Sequence, residues 1–214
     1  MYVPGHFRQD DRAEMHALIN ASRLATLITV SEGVPLVSHL PMILEESGGE
    51  NGTLLCHLAR ANPQWRTIGE STEALVIFLG PDAYVSPSWY ESKRDHGKVV
   101  PTWNYVAVHA YGPVRVIEDP VWLRGLVERL TRKHEGGRST PWAVGDAPAP
   151  FIETQLRAIV GFEIPIRRLD GKWKLSQNRS AADAAGVVDA LAASPDPLDR
   201  ATAKLMRESR KSPA

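Results

Sequence analysis

Apolar positions along the chain follow two rhythms. Met15, Leu18 and Ile19 recur at helical spacing within residues 11–22, and Asp11 and Glu14 stand as a capping pair, so the pattern predicts one amphipathic helix. Residues 24–30 (LATLITV) are rich in β-branched side chains and predict a strand. A Ser31-Glu32-Gly33 turn leads into a second strand, 34–44, which Pro35 and Pro41 mark as an edge or a bulge. Residues 53–58 (TLLCHL) predict a third strand. Asn62-Pro63 then opens a short helix through Trp65 and Ile68, because asparagine caps the first turn and proline fits its first position. The unbroken apolar run 74–79 (ALVIFL) is short enough for a buried strand.

Residues 81–101 have no regular period and read as a long loop. Strand character returns over 103–117, with Gly112-Pro113 as a kink or a turn between two strands. Asp119-Pro120 repeats the cap-plus-proline signal ahead of a helix carrying Leu123, Leu126, Val127 and Leu130 on one face. A loop to Pro150, a helix over 151–159, a strand over 160–166 and a turn at Gly171 into 172–176 complete this part. Many short strands with a few peripheral helices, lacking a regular strand-helix alternation, predict an α+β, mainly antiparallel barrel over residues 1–179. Residues 180–214 form a C-terminal helical extension of two Ala-rich helices, 181–193 and 198–209.

Composition narrows the function. Twenty-five Lys and Arg balance twenty-five Asp and Glu in 214 residues, so no protein-wide field draws polyanions, and any DNA binding is local. The single cysteine, Cys56, excludes an intrachain disulfide framework and a cysteine-only metal cluster, and fits a reducing compartment. No signal-peptide core or membrane-length apolar run is present, which predicts a soluble, cytoplasmic protein without membrane partners.

Three segments carry candidate chemistry. In HLARANPQ (57–64), a helix start with His57 and Arg60 beside it offers donors for a phosphate, although an ordinary capped helix accounts for the same residues. SPSWY (86–90) and VPTWNY (100–105) place Trp89, Tyr90, Trp103 and Tyr105 next to Ser86, Ser88, Thr102 and Asn104, a mixture suited either to a flat heteroaromatic ligand or to closing a barrel end. KWKLSQNR (172–179) holds Lys174, Gln177, Asn178 and Arg179 around one turn, as donors for ligand oxygens or as a solvated turn capping the next helix. No metal-binding or nucleophile motif occurs.

MYVPGHF (1–7), HLARANPQW (57–65), AYVSPSWY (83–90), VPTWNY (100–105) and KLSQNR (174–179), in that order along nearly the whole chain, resemble the PaiB family. The resemblance implies an FMN-binding split β-barrel, a homodimer with flavin sites at the subunit interface, and a role as a negative transcriptional regulator or a flavin-dependent redox protein. It also implies that the FMN phosphate meets His57, Arg60, Asn62 and Gln64 and that Ser38 and His39 run along the isoalloxazine edge. Lys174 and Gln177 then reach the flavin, with Trp89, Trp103 and Asn104 walling the ring. Two other readings stand beside this one. The first is a repressor that touches DNA through its terminal helices, where Arg200, Lys204, Arg207, Arg210 and Lys211 gather. The second is a haem-binding split barrel with a histidine as axial ligand.

Overall fold

A computed structural model of the chain describes residues 1–210. In chain order the elements are β1 (Arg8–Gln9), α1 (Arg12–Ala21), β2 (Ala25–Ser31), β3 (Val34–Leu40), β4 (Ile43–Glu45), β5 (Thr53–Ala59), β6 (Glu73–Val85), α2 (Ser92–Asp95), β7 (Thr102–Pro113), β8 (Arg115–Ile117), α3 (Pro120–Glu135), α4 (Ala149–Arg157), β9 (Ile159–Pro165), β10 (Arg168–Lys174), α5 (Ala181–Ala192) and α6 (Pro197–Ser209). They fall into two compact units. The first comprises Met1–Asp11, Leu79–Val108 and the chain from Asp170 onward; the second comprises Arg12–Phe78 and His109–Leu169. The two helices after residue 180 therefore cluster with Leu79–Val108 rather than by themselves.

In the second unit β2 pairs antiparallel with β3 and β6, and a second sheet runs β4-β5-β9-β8. The β2–β3 turn is a two-residue loop in which Glu32 (φ 52°) and Gly33 (φ 80°) are both left-handed, the geometry whose twist matches the flanking strands. The expected single strand 34–44 is instead two strands in different sheets, because Pro41, which has no N–H to give a ladder, sits where pairing stops. The Gly112-Pro113 signal resolves as a kink: both residues end β7, and Val114 alone separates it from β8, which belongs to the other sheet. A Cβ on Gly112 would lie 2.0 Å from the Pro165 carbonyl oxygen, so only glycine lets the two backbones approach there. Helix α3, capped by Asp119, lays Leu126 and Leu130 on Ile43 and Leu55, while Leu123 packs with Val144, Ile152 and Leu156. Leu27, Val76 and Phe78 from one sheet and Leu54, Leu58, Phe162 and Ile164 from the other are almost fully buried.

In the first unit the strand order is β1-β10-β7-β6. The expected loop over 81–101 is partly strand: β6 continues to Val85 with Ala83 and Val85 buried between exposed Asp82 and Tyr84. Gly80-Pro81 had masked that period-two pattern. A 3₁₀ turn, Pro87–Trp89, follows, with the Ser86 side chain accepting from the Ser88 N–H. Helices α5 and α6 pack together through buried Val187, Leu191, Ala203 and Met206.

The N-terminal turn of α5 carries a titrating lock. The Asp183 carboxylate accepts from the Ser92 backbone N–H at 2.9 Å and from the Ser92 hydroxyl at 2.8 Å. Burial opposes its charge, but the Ser92 and Ser180 hydrogen bonds and the Arg179 guanidinium outweigh it and hold the carboxyl below its ordinary value. A folded-state value below the unfolded one gives stability that is complete above about pH 5 and is lost as pH falls through the folded value. The stability gap between wild type and Asp183→Asn is thus expected to be constant from neutral pH to about pH 5 and to close below it. Urea unfolding across pH reads this, and a gap that widens on acidification contradicts it.

Candidate functional site

Segment 57–64 leaves β5 and enters a 3₁₀ turn, Pro63–Thr67, capped by the Asn62 side chain, which accepts from the Gln64 N–H at 3.0 Å. The expected short helix is thus a five-residue 3₁₀ turn, which does not build the macrodipole of an α-helix start. Gln64 instead turns inward, 3% exposed. Its Oε1 accepts from Ser38 Oγ at 2.6 Å, and its Nε2 donates to Thr29 Oγ1 and to the Leu36 carbonyl, each at 3.1 Å. Asn62 Nδ2 donates to Ser38 Oγ at 3.0 Å. Ser38, Asn62 and Gln64 are thereby brought together as a closed network that fixes β3. Thr29, the polar member of an inward-facing series with Ala25 and Leu27, belongs to it and was missed; a threonine in an otherwise apolar strand phase was its signal.

The other members of the expected phosphate cluster go elsewhere in this unit. His39 stays exposed on β3, its Nδ1 3.2 Å from Thr26 Oγ1. The Arg60 guanidinium is engaged by Glu118 and donates to the carbonyls of Arg157 (2.9 Å) and Ile159 (3.2 Å), at a cleft also lined by Arg124, Glu153 and Arg157. An anion at Arg60 must compete with the Glu118 carboxylate already in place. His57 lies on the same phase of β5 as Leu55, which packs under α3, and lines cavities bordered by Val127, Thr131 and Trp142. Burial holds its imidazole below the ordinary value. Neighbouring Cys56 faces the opposite way, fully buried, with its thiol pushed up to about 12, so it offers no nucleophile.

In the first unit Trp103 is 54% exposed on β7 and meets Tyr84 edge-on, ring centroids 5.8 Å apart. With Leu79, Gly80, Asp82, Tyr105 and Val106 it lines a groove of about 430 Å³. Lys174 Nζ donates to Thr102 Oγ1 at 2.6 Å and to the Trp103 carbonyl, which ties a cation to the aromatic strand. Burial, with Lys172 and Arg179 adding to it, lowers the affinity of Lys174 for its proton. Trp89 is half-buried, and its backbone is pressed against α5 at Gly186.

Two expected ring contacts are committed otherwise. Asn104 is fully buried; its Nδ2 donates to Ser176 Oγ at 3.0 Å and contacts Met206 Sδ at 3.3 Å, while its Oδ1 accepts from Ser176 Oγ at 3.1 Å. Gln177 spends both ends of its amide on its own turn, accepting from the Leu175 N–H at 2.7 Å and donating to the Trp173 carbonyl at 2.6 Å. That turn holds Ser176 at φ 63°.

The side chains present fit a flavin in kind. An exposed indole and a phenol line an open groove for a flat ring between β6 and β7, and Lys174 of β10 supplies a cation bonded to Thr102 and to the Trp103 carbonyl. His39 offers an exposed imidazole on β3 in the second unit.

Comparison with known proteins agrees with the fold and the ligand class. Residues 1–168 match the family described as "Putative FMN-binding domain". The chain is 34% identical over 211 residues to the protease synthase and sporulation protein PAI 2 of Bacillus subtilis, covering 97% of each. Among solved structures it resembles a FAD- and haem-binding protein from Mycobacterium smegmatis (TM-score 0.59, 19% identity, 83% of this chain and 78% of that one). It also resembles the flavocytochrome Anf3 from Azotobacter vinelandii (TM-score 0.58, 15% identity, 80% and 72%). At these identities the structural likeness establishes the fold, a split barrel with peripheral helices. Among the described residues, no helix is long and apolar enough to cross a membrane.

Proposed function

The chain belongs to this FMN-binding family, of the PaiB type, and we propose that it works as a cytoplasmic flavoprotein dimer whose FMN serves redox or sensory chemistry. The observation that carries the reading is the open aromatic groove of the first unit, where Trp103 stands half-exposed with Lys174 bonded to its carbonyl. Trp103 and Tyr105 take the ring face, Trp89 borders it, and Lys174 neutralises an anionic edge. In the second unit, Ser38, Asn62 and Gln64 hold β3, the strand that carries the exposed His39. Bound flavin supplies hydride and electron transfer, so the protein needs no acid, base or nucleophile of its own for that step.

Adding FMN to the protein is expected to quench free-flavin fluorescence to saturation and to give a structured visible spectrum. A colourless protein that leaves the fluorescence unchanged overturns the reading. Trp103→Ala is expected to weaken FMN about tenfold, the worth of one aromatic stack, without lowering the unfolding midpoint, because the indole is exposed. Undiminished affinity would move the ring elsewhere.

The dimer rests on β3, an edge strand that exposes Val34 and Val37 beside Val30 of β2. An open, apolar edge of this kind is a surface that a second copy covers. Light scattering that gives a strictly monomeric mass contradicts it. The alternative of DNA repression through the terminal helices gains little from their side chains. Arg200 donates to the Ser194 and Pro195 carbonyls, Lys204 pairs with Glu208, and Arg210 donates to the Ser176 carbonyl. Lys211 lies outside the described residues.

A further inference from the structure

We propose that the cavity over β5 in the second unit, lined by His57, Thr131 and Trp142, binds a neutral, flat aromatic carbonyl compound, at a site separate from the flavin. The cavity measures about 500 Å³, within the range of small-molecule sites, and a smaller one of about 270 Å³ adjoins it through the same three residues and Val127. Its walls are mostly apolar, with Ile152 and the half-exposed aromatic rings of Trp142 (47%) and Phe151 (54%) among them. The backbone of Trp142 is anchored, its N–H donating to Glu135 Oε2 at 3.2 Å, and Glu135 is in turn paired with Arg138. The larger cavity has no Asp, Glu, Lys or Arg in its lining, so a charged ligand would be desolvated there without a counter-ion.

The polar groups that remain specify the ligand's polarity. His57 Nδ1 is enclosed and has no hydrogen-bond partner among the described residues. A bare lone pair in that position costs less than a stranded N–H, which places the proton of the neutral ring on Nε2. The imidazole therefore meets the cavity as a donor, and the Thr131 hydroxyl and the Gln155 amide are further donors in the lining. Apolar flat walls, several neutral donors and no charged lining residue in the larger cavity select an aromatic ring that accepts through a carbonyl, while Glu135 borders only the smaller one. None of Ser38, Asn62, Gln64 or Trp103 lines this cavity.

Coumarin is a suitable probe, titrated by calorimetry into protein with and without saturating FMN. Saturable one-to-one binding with the same affinity in both states is expected. His57→Phe should weaken coumarin about tenfold while leaving naphthalene, which lacks the carbonyl, within about threefold. Trp142→Ala, at a half-exposed loop position that the fold tolerates, should weaken both and decides the matter if His57→Phe fails to fold. Three results overturn the proposal: no saturation by coumarin, unchanged coumarin affinity in the folded variants, or displacement of coumarin by FMN. Failure to bind FMN at all would sink the flavin reading and leave this one standing.

Discussion

Replacing Gln64 by leucine is expected to cost about 3 kcal/mol of folding stability, because the side chain closes three hydrogen bonds out of contact with water. Leucine fills nearly the same volume, so the loss is not a cavity effect. It strands Thr29 Oγ1, 1% exposed, and the Leu36 carbonyl, and it leaves Ser38 Oγ without its acceptor at 2.6 Å. Each buried polar group left unpaired costs roughly 1–3 kcal/mol, and partial relaxation keeps the sum near the lower end. For a chain of this size the change corresponds to a fall in melting temperature of about 6–12 °C. Gln64→Glu should be as damaging, since a carboxylate cannot donate to the Leu36 carbonyl. Ser38→Ala in the Gln64→Leu background should restore part of the loss by removing one stranded hydroxyl. Thermal and urea unfolding of the single and double variants measure this. A loss below about 1 kcal/mol for Gln64→Leu would mean that water replaces the amide and that the network does not hold β3.

What the sequence made legible was local. Every asparagine or aspartate followed by proline that was read as a cap is one: Asn62, Asp119 and Asp196 each accept from a backbone N–H two residues on, and Ser180 caps α5. Cap chemistry lies within three residues, so it survives whatever tertiary setting surrounds it. The candidate site fared differently. His57, Arg60, Asn62 and Gln64 are close in sequence, yet the structure sends them to three places. Successive strand residues face opposite sides, and the chain turns between Ala59 and Pro63.

Asn104 illustrates the same limit in the other unit. Its partners Ser176 and Met206 are 72 and 102 residues away, so nothing within the aromatic segment shows that its amide is a buried tie. Trp142, set in a Pro- and Ala-rich loop, carried no period at all, and only its place beside His57 gives it meaning. The aromatic strand at Trp103 was legible as composition, but the exposure of the indole, against the rule that large apolar side chains in a strand turn inward, appears only in the structure.

Gly186→Ala separates intrinsic preference from packing, because the two predict opposite signs. Within α5, alanine is the better helix former by about 1 kcal/mol, so preference alone predicts a more stable protein. A Cβ at this position would, however, lie 2.1 Å from the Trp89 carbonyl oxygen and 3.3 Å from its carbon. The obstacle is backbone, which cannot swing aside as a long side chain would. Relief requires the helix and the Pro87–Trp89 turn to part by about 1 Å, and overpacking of this kind costs roughly 1–3 kcal/mol. Steric cost outweighs the helical gain, and a net loss of about 1–2 kcal/mol is expected. Gly125→Ala in α3 is the control: nothing lies within 4 Å of the added Cβ, so the same substitution should stabilise by up to about 1 kcal/mol. Because the contact is with Trp89, the Gly186 variant should also shift the tryptophan emission and weaken FMN, whereas the Gly125 variant should do neither. Equal, stabilising effects at both positions would show that the turn yields freely and that Trp89 is not held in place by α5.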